Sequence, residues 1–169
     1  MSVPASDDAP GAADLSVSVA DSGVSAGGCL RTSGLGSCLG IALHDPEAGV
    51  GGLLHPMLPF REDETRRRER YVDSGVERLV DDLVDIGADR RRLVARVVGG
   101  AAVVEFGWND DAGGSIGQRN VAAAEEVLDE AGIDIVGREV GGDHGRSMRF
   151  DTATGELTVE RTDGERTVL

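Results

Sequence analysis

Lysine is absent from this 169-residue chain. All 17 basic residues are arginine, set against 31 Asp and Glu, for a formal net charge of −14. Phosphate is bound by basic surfaces, so this balance argues against nucleic acid as a partner and equally against anionic membrane surfaces. The two basic runs, Arg66–Arg68 and Arg90–Arg92, are flanked by Glu or Asp and read as solvated faces or helix ends. Aromatic residues make up only 3% of the chain. Cysteine is scarce as well. Cys29 and Cys38 are too few for a disulfide scaffold, and no Cys/His quartet has the spacing of a structural zinc site. Long apolar runs are missing. No segment approaches the ~20 residues of a membrane span. Residues 1–10 lack the basic and apolar regions of a secretory signal. These absences predict a cytoplasmic protein that does not insert into membranes.

What is present suits a folded protein: 40% hydrophobic and 28% charged residues. The length predicts one domain, large enough to bury about 70% of the surface its unfolded chain exposes. Its expected limits are a disordered acidic arm over 1–13, the domain over 14–162 and a tail over 163–169. Abundant acid, no lysine and few aromatics resemble the composition of proteins from salt-accumulating halophiles. In ~1 M salt the Debye length is about 3 Å, so self-repulsion is screened.

Patterning divides the chain into short elements. Leu15, Val17 and Val19 alternate with small residues and predict a first strand; Gly27 and Gly28 mark a turn before Cys29. Leu39, Ile41 and Leu43 alternate again. Asp45-Pro46-Glu47-Ala48-Gly49 has turn chemistry, and Val50 to Leu58 reads as the returning strand. Val72, Val76, Leu79, Val80 and Leu83 keep helical spacing, as do Val121, Ala124, Val127 and Leu128. Leu93 to Val98 and Ile133 to Val140 read as strands, and Arg146 to Phe150 with Leu157 to Glu160 as a hairpin. Hairpins mixed with two helices predict the α+β class rather than a doubly wound parallel sheet.

The informative stretch is Ser33-Gly34-Leu35-Gly36-Ser37-Cys38, a glycine-rich loop that ends on a cysteine. Thiol hydrolysis needs a nucleophile, a base and donors for the oxyanion. Cys38 could be the nucleophile, and backbone N–H groups of the loop, around Gly34, Gly36 and Ser37, could face a substrate carbonyl. His55 lies across the predicted hairpin and could act as the base. Thr32 could orient the imidazole, the third-member role of a triad. A thiolate–imidazolium pair would lower the thiol pKa. Against this, a buried cysteine is as a rule an inert small hydrophobe, and spacing alone leaves both readings open. Cys29 reads as a packed strand residue, His44 as a turn or surface residue, His144 as a solvated loop residue and Met57 as core. Trp108, beside Asn109, Asp110 and Asp111, reads as a partner contact or a loop anchor.

Several motifs then occur in order: Thr32 to Cys38, His44-Asp45-Pro46, Gly51-Gly52-Leu53-Leu54-His55-Pro56-Met57-Leu58-Pro59, Gly99-Gly100-Ala101, Ile116-Gly117-Gln118-Arg119-Asn120, Gly141-Gly142, Gly145-Arg146-Ser147 and Thr154-Gly155. Together they resemble the chemoreceptor glutamine deamidase family CheD over nearly the whole chain. The resemblance implies an α/β sandwich of mixed, largely antiparallel sheets with two main flanking helices, similar to deamidating toxins with a Cys–His pair. It implies Cys38 as nucleophile, His55 as general acid/base and Thr32 as third member, with no metal or organic cofactor. Implied partners are the helical cytoplasmic domains of chemotaxis receptors, whose glutamines would become glutamates, and a CheC-type phosphatase of the response regulator. The expected source is a halophilic archaeon. A second reading keeps the fold but makes the chain a regulatory module whose output is control of that phosphatase.

Overall fold

Apolar side chains recur every third or fourth residue between Val72 and Leu83, and that stretch forms α1 (Val72–Asp85). α2 (Ile116–Glu130) opens on a capping box. The Ser115 hydroxyl accepts from the Gln118 N–H, and the Gln118 side chain accepts from the Ser115 N–H. Helical periodicity is visible only from Val121, so α2 begins earlier than its pattern predicts. The strands are β1 (Asp14–Ser16), β2 (Ser22–Ala26), β3 (Cys29–Leu35), β4 (Leu39–Asp45), β5 (Val50–Leu54), β6 (Val94–Gly99), β7 (Asp134–Val140), β8 (Arg146–Asp151), β9 (Leu157–Arg161) and β10 (Arg166–Val168). The computed structural model describes residues 14–102 and 114–169.

These strands build two five-stranded sheets. The outer sheet has the order β1-β3-β8-β9-β10 and the central sheet β2-β5-β4-β6-β7. The β1–β3 and β6–β7 pairs are parallel and the others antiparallel. One face of the central sheet carries the helices, through Leu39, Ile41, Leu43 and Leu54 against Val76, Leu79, Leu83 and Leu128. The other face meets the outer sheet, through Ala42, Leu53 and Val98 against Leu30, Met148, Phe150 and Leu157. Covered on both sides, β4 is buried at every position. β5 owes its close packing to two glycines. A Cβ on Gly52 would lie 2.7 Å from a Leu79 methyl, and one on Gly51 2.7 Å from the Phe150 ring. This is the expected α+β sandwich with two helices.

The boundaries differ from the pattern in three places. β1 stops at Ser16, and the chain turns before β2, whose Ser22-Gly23-Val24-Ser25-Ala26 has too little apolar alternation to announce a strand. The returning strand ends at Leu54, not Leu58, just ahead of Pro56. Residues 163–169, set apart as a tail, contain β10, which pairs with β9 at the sheet edge. The arm over 1–13 and the segment with Trp108, Asn109, Asp110 and Asp111 lie outside the described residues. No helix among the described residues is long and apolar enough to cross a membrane.

Candidate active site

Hairpin register brings the candidate residues together. β4 and β5 pair Ala42 with Leu53 and Ile41 with Leu54. The next step sets Gly40 opposite His55, and the Leu39 N–H donates to the Pro56 carbonyl at 3.3 Å. Strand alternation then turns Gly40 and His55 toward the outer sheet, on the face of Ala42 and Leu53. Cys38 packs against that same cluster. Cys38 and His55 are therefore diagonal neighbours, a relation that spans roughly 7–8 Å between Cα atoms. Gly40 stands between them without a side chain, and the Met148 sulfur occupies the place a Cβ would take.

Thr32 arrives from the facing sheet. Its hydroxyl lies 2.6 Å from the Val17 carbonyl and 2.8 Å from His55 Nδ1. The carbonyl can only accept, so the single hydroxyl proton goes to Val17 and the Thr32 oxygen accepts from Nδ1–H. This fixes the tautomer and leaves the lone pair on Nε2. That atom is buried and has no hydrogen-bond partner among the described residues. The β3–β8 register shifts between Thr32 and Leu35, where Gly34 takes a φ of 73°. A bulge of this kind re-aims side chains beside a site.

The loop before Cys38 is anchored from behind. The carbonyls of Gly36, Ser37 and Cys38 accept from Ala101 N at 2.8 Å, Asn120 Nδ2 at 2.9 Å and Gly100 N at 3.0 Å. Across a trans peptide the N–H points opposite to the carbonyl, so the Ser37 and Cys38 N–H groups face away from these anchors. Neither donates to a main-chain acceptor among the described residues. Gly36 differs: its N–H is closed onto the Gly34 carbonyl at 3.1 Å, which removes it as an oxyanion donor. Gly99 permits the close approach, since a Cβ there would strike the Cys38 carbonyl. Thr32, Ser33, Gly34 and His55 also line a cleft of about 880 Å³ together with Val17 and Val19; Cys38 lies outside its lining.

Burial sets the electrostatics. It pushes the Cys38 thiol up, partly offset by the residue's own N–H, and it pushes the His55 imidazole down. Both shifts favour the uncharged forms, and neither contains a contribution from the other residue of the pair. Among the described residues no three His, Cys, Asp or Glu side chains group as metal ligands.

His44 departs from expectation. It is only 3% exposed, because the alternation through Gly40 and Ala42 carries it inward. Its Nε2–H donates to the Thr152 carbonyl at 2.9 Å, and its ring stands edge-on to Phe150. Cys29 is a half-buried free thiol on β3. His144 is half-buried, with Nε2 3.2 Å from Asp143 and 3.5 Å from Asp163. Met57, also half-buried, has its sulfur 3.6 Å from an Arg70 nitrogen. Arg92, from a run read as solvated, makes a paired contact with the buried Asp45 carboxylate at 2.9 Å.

A family model described as CheD chemotactic sensory transduction matches residues 57–161. The chain belongs to the CheD family. That match begins past His55, so it is independent of Thr32, Cys38 and His55. Longer alignments cover them. The chain is 54% identical to a probable chemoreceptor glutamine deamidase CheD of Natronomonas pharaonis, over 92% of each chain. It is 47% identical to a probable chemoreceptor glutamine deamidase CheD 2 of Geobacter metallireducens, over 77% of this chain and 82% of that one. A probable chemoreceptor glutamine deamidase CheD of Archaeoglobus fulgidus is 39% identical over 89% and 95%. Within this CheD fold the sequence reading missed two supports of the site, the Val17 carbonyl and Asn120. A carbonyl leaves no sequence signal. Asn120 stands in a motif quoted for its resemblance but given no role.

Proposed function

We propose that this chain is a chemoreceptor glutamine deamidase with Cys38 as nucleophile, His55 as general base and acid, and Thr32 as the residue that orients His55. The observation that carries the reading is the Thr32–His55 hydrogen bond, which leaves Nε2 as a free base on the face shared with Cys38. The relatives' names supply the substrate, a receptor glutamine side chain.

From the neutral pair, Nε2 takes the thiol proton as sulfur attacks the amide carbon. The N–H groups of Ser37 and Cys38 receive the oxyanion. The imidazolium then protonates the departing ammonia, and a thioester remains. Water, deprotonated by Nε2, hydrolyses the thioester to glutamate and returns the proton to sulfur. No step needs a metal or an organic cofactor. Nδ1–H stays on Thr32 throughout, so the imidazole neither rotates nor changes tautomer.

The finer expectations belong to the same proposal. The chain works in the cytoplasm on helical receptor segments, with a CheC-type phosphatase as second partner. The lysine-free acidic composition fits a chain folded in molar salt, in a halophilic archaeon. The test is a receptor cytoplasmic fragment incubated in high salt and mapped for amide-to-acid conversion. Cys38→Ala should abolish conversion. Wild-type conversion by that variant would remove the mechanism.

A further inference from the structure

We propose that Asn120 is a positioning residue that ties the nucleophile's peptide to the segment carrying the general base. The proposal rests on the Cys38–His55 reading above. Asn120 is fully buried on α2. Its Nδ2 donates twice, to the Ser37 carbonyl at 2.9 Å and to the Met57 carbonyl at 2.9 Å. Both partners are acceptors, so the orientation of the amide follows from the contacts. Ser37 immediately precedes Cys38, and Met57 lies two residues past His55.

These two segments need a tie. The β4–β5 ladder ends at Ile41 and Leu54, and one longer bond, Leu39 to Pro56, extends it. Beyond that point the strand ends have no further main-chain pairing between them. Asn120 replaces the missing rung with the two hydrogens of one planar amide. It also sets the chemistry indirectly. The peptide whose carbonyl it holds is the Ser37–Cys38 peptide, so it fixes where the Cys38 N–H points. α2 can deliver the amide because Gly117, one turn earlier, lets the helix rest on the Gly100 and Ala101 carbonyls.

Packing alone does not explain the residue. Asn120 Oδ1 is buried without a hydrogen-bond partner among the described residues. A buried acceptor left unsatisfied is destabilising, and an apolar side chain at the same place would avoid that cost. Two donors at this reach are specific to Asn. Asp would present lone pairs to two carbonyls, and Ser offers a single donor.

The experiment uses the full chain in molar salt with a receptor cytoplasmic fragment. The folded fraction of each variant is measured by chemical denaturation, and alkylation of Cys38 by iodoacetamide is followed across pH by peptide mapping. Asn120→Asp should lower kcat per folded molecule by about 10²-fold, the cost of a small misplacement of reacting groups. KM should stay within about twofold, because Asn120 touches no substrate. Asn120→Ser, with one donor, should fall between Asp and wild type, and it carries the test if the Asp variant does not fold. The pH profile of Cys38 alkylation should also move in both variants. A merely structural Asn120 would reduce the folded fraction and leave kcat per folded molecule and the alkylation profile of that fraction at wild-type values, which would overturn the proposal. Failure of the deamidase reading looks different: Cys38→Ala would convert glutamine as wild type does, whatever the Asn120 variants do.

Discussion

His44 on β4 and His55, one residue past the end of β5, belong to one hairpin and lie on the same face, at 3% and 2% exposure. Burial lowers the pKa of both. They differ in which nitrogen is engaged. His44 gives its Nε2–H to the Thr152 carbonyl and lays its ring against Phe150. His55 gives Nδ1–H to Thr32, and its Nε2 has no partner among the described residues. The two ends of the hairpin follow the same division. Around His44, Asp45 is fully buried, and burial alone would raise its pKa. The Arg92 guanidinium and the N–H groups of Asp89, Ala48 and Glu47 outweigh that and hold the carboxyl well below the usual range. That end is saturated with partners. The Cys38–His55 end holds a buried base without a partner among the described residues, and the Ser37 and Cys38 N–H groups there donate to no described main-chain acceptor. Buried polar groups are normally satisfied, so the unpartnered Nε2 is the exception that the proposed deamidase reading accounts for.

The sharpest way to break this comparison is to make the same change at both positions. His55→Gln should reduce glutamine conversion by about 10²–10⁴-fold, the usual worth of a general acid–base. His44→Gln should leave turnover per folded molecule unchanged and cost roughly 1–3 kcal/mol of stability, the loss of a buried hydrogen bond. Chemical denaturation and single-site turnover measure the two effects. Equal loss of turnover in both variants would erase the distinction. A smaller effect is expected at the third member. Thr32→Val keeps the shape but strands Nδ1–H and the Val17 carbonyl, and should lower kcat by about 10²-fold through a mispositioned ring. Thr32→Ser should recover most of the activity. If it does not, the methyl group rather than the hydroxyl orients His55.

Much of this was legible in the sequence where a side chain carries its own signal. The glycine-rich loop, the cysteine after it, the alternation of β4 and the turn chemistry at Asp45 together placed Cys38 near His55. Legibility stopped where main-chain atoms do the work. β2 forms because β5 offers an edge, and Ser22 to Ala26 show no pattern of their own. The donor role ascribed to Gly36 fails because its N–H closes a turn, a fact visible only in three dimensions. His44 was misplaced because a histidine beside Asp-Pro reads as exposed, whereas strand parity decides its side. The burial that pushes the thiol up and the imidazole down also escaped the sequence, since spacing shows a base nearby but not how deeply either group sits.

The smallest effect separates the two histidines thermodynamically. Unfolded, each titrates near about 6.5. Folded, each is held below that by burial, so between the two values the unfolded chain binds more protons. Stability therefore rises with pH across this window and is lost as pH falls from neutrality through it. The Asp45 contribution sits in a separate, more acidic window: its folded pKa is depressed, so its stability is present above about 3.9 and lost as pH falls through the folded value. Denaturation in molar salt between about pH 5 and 7 thus reads the histidines with surface charge screened. Each His→Gln variant should flatten the slope, and His55→Gln should flatten it more. At His44 burial is opposed by the Thr152 carbonyl and by the Asp45 and Asp151 charges, with Arg96 acting the other way, whereas at His55 burial acts alone. A slope untouched by His55→Gln would mean that its imidazole is solvated, and the unpartnered Nε2 would then already be bound to water.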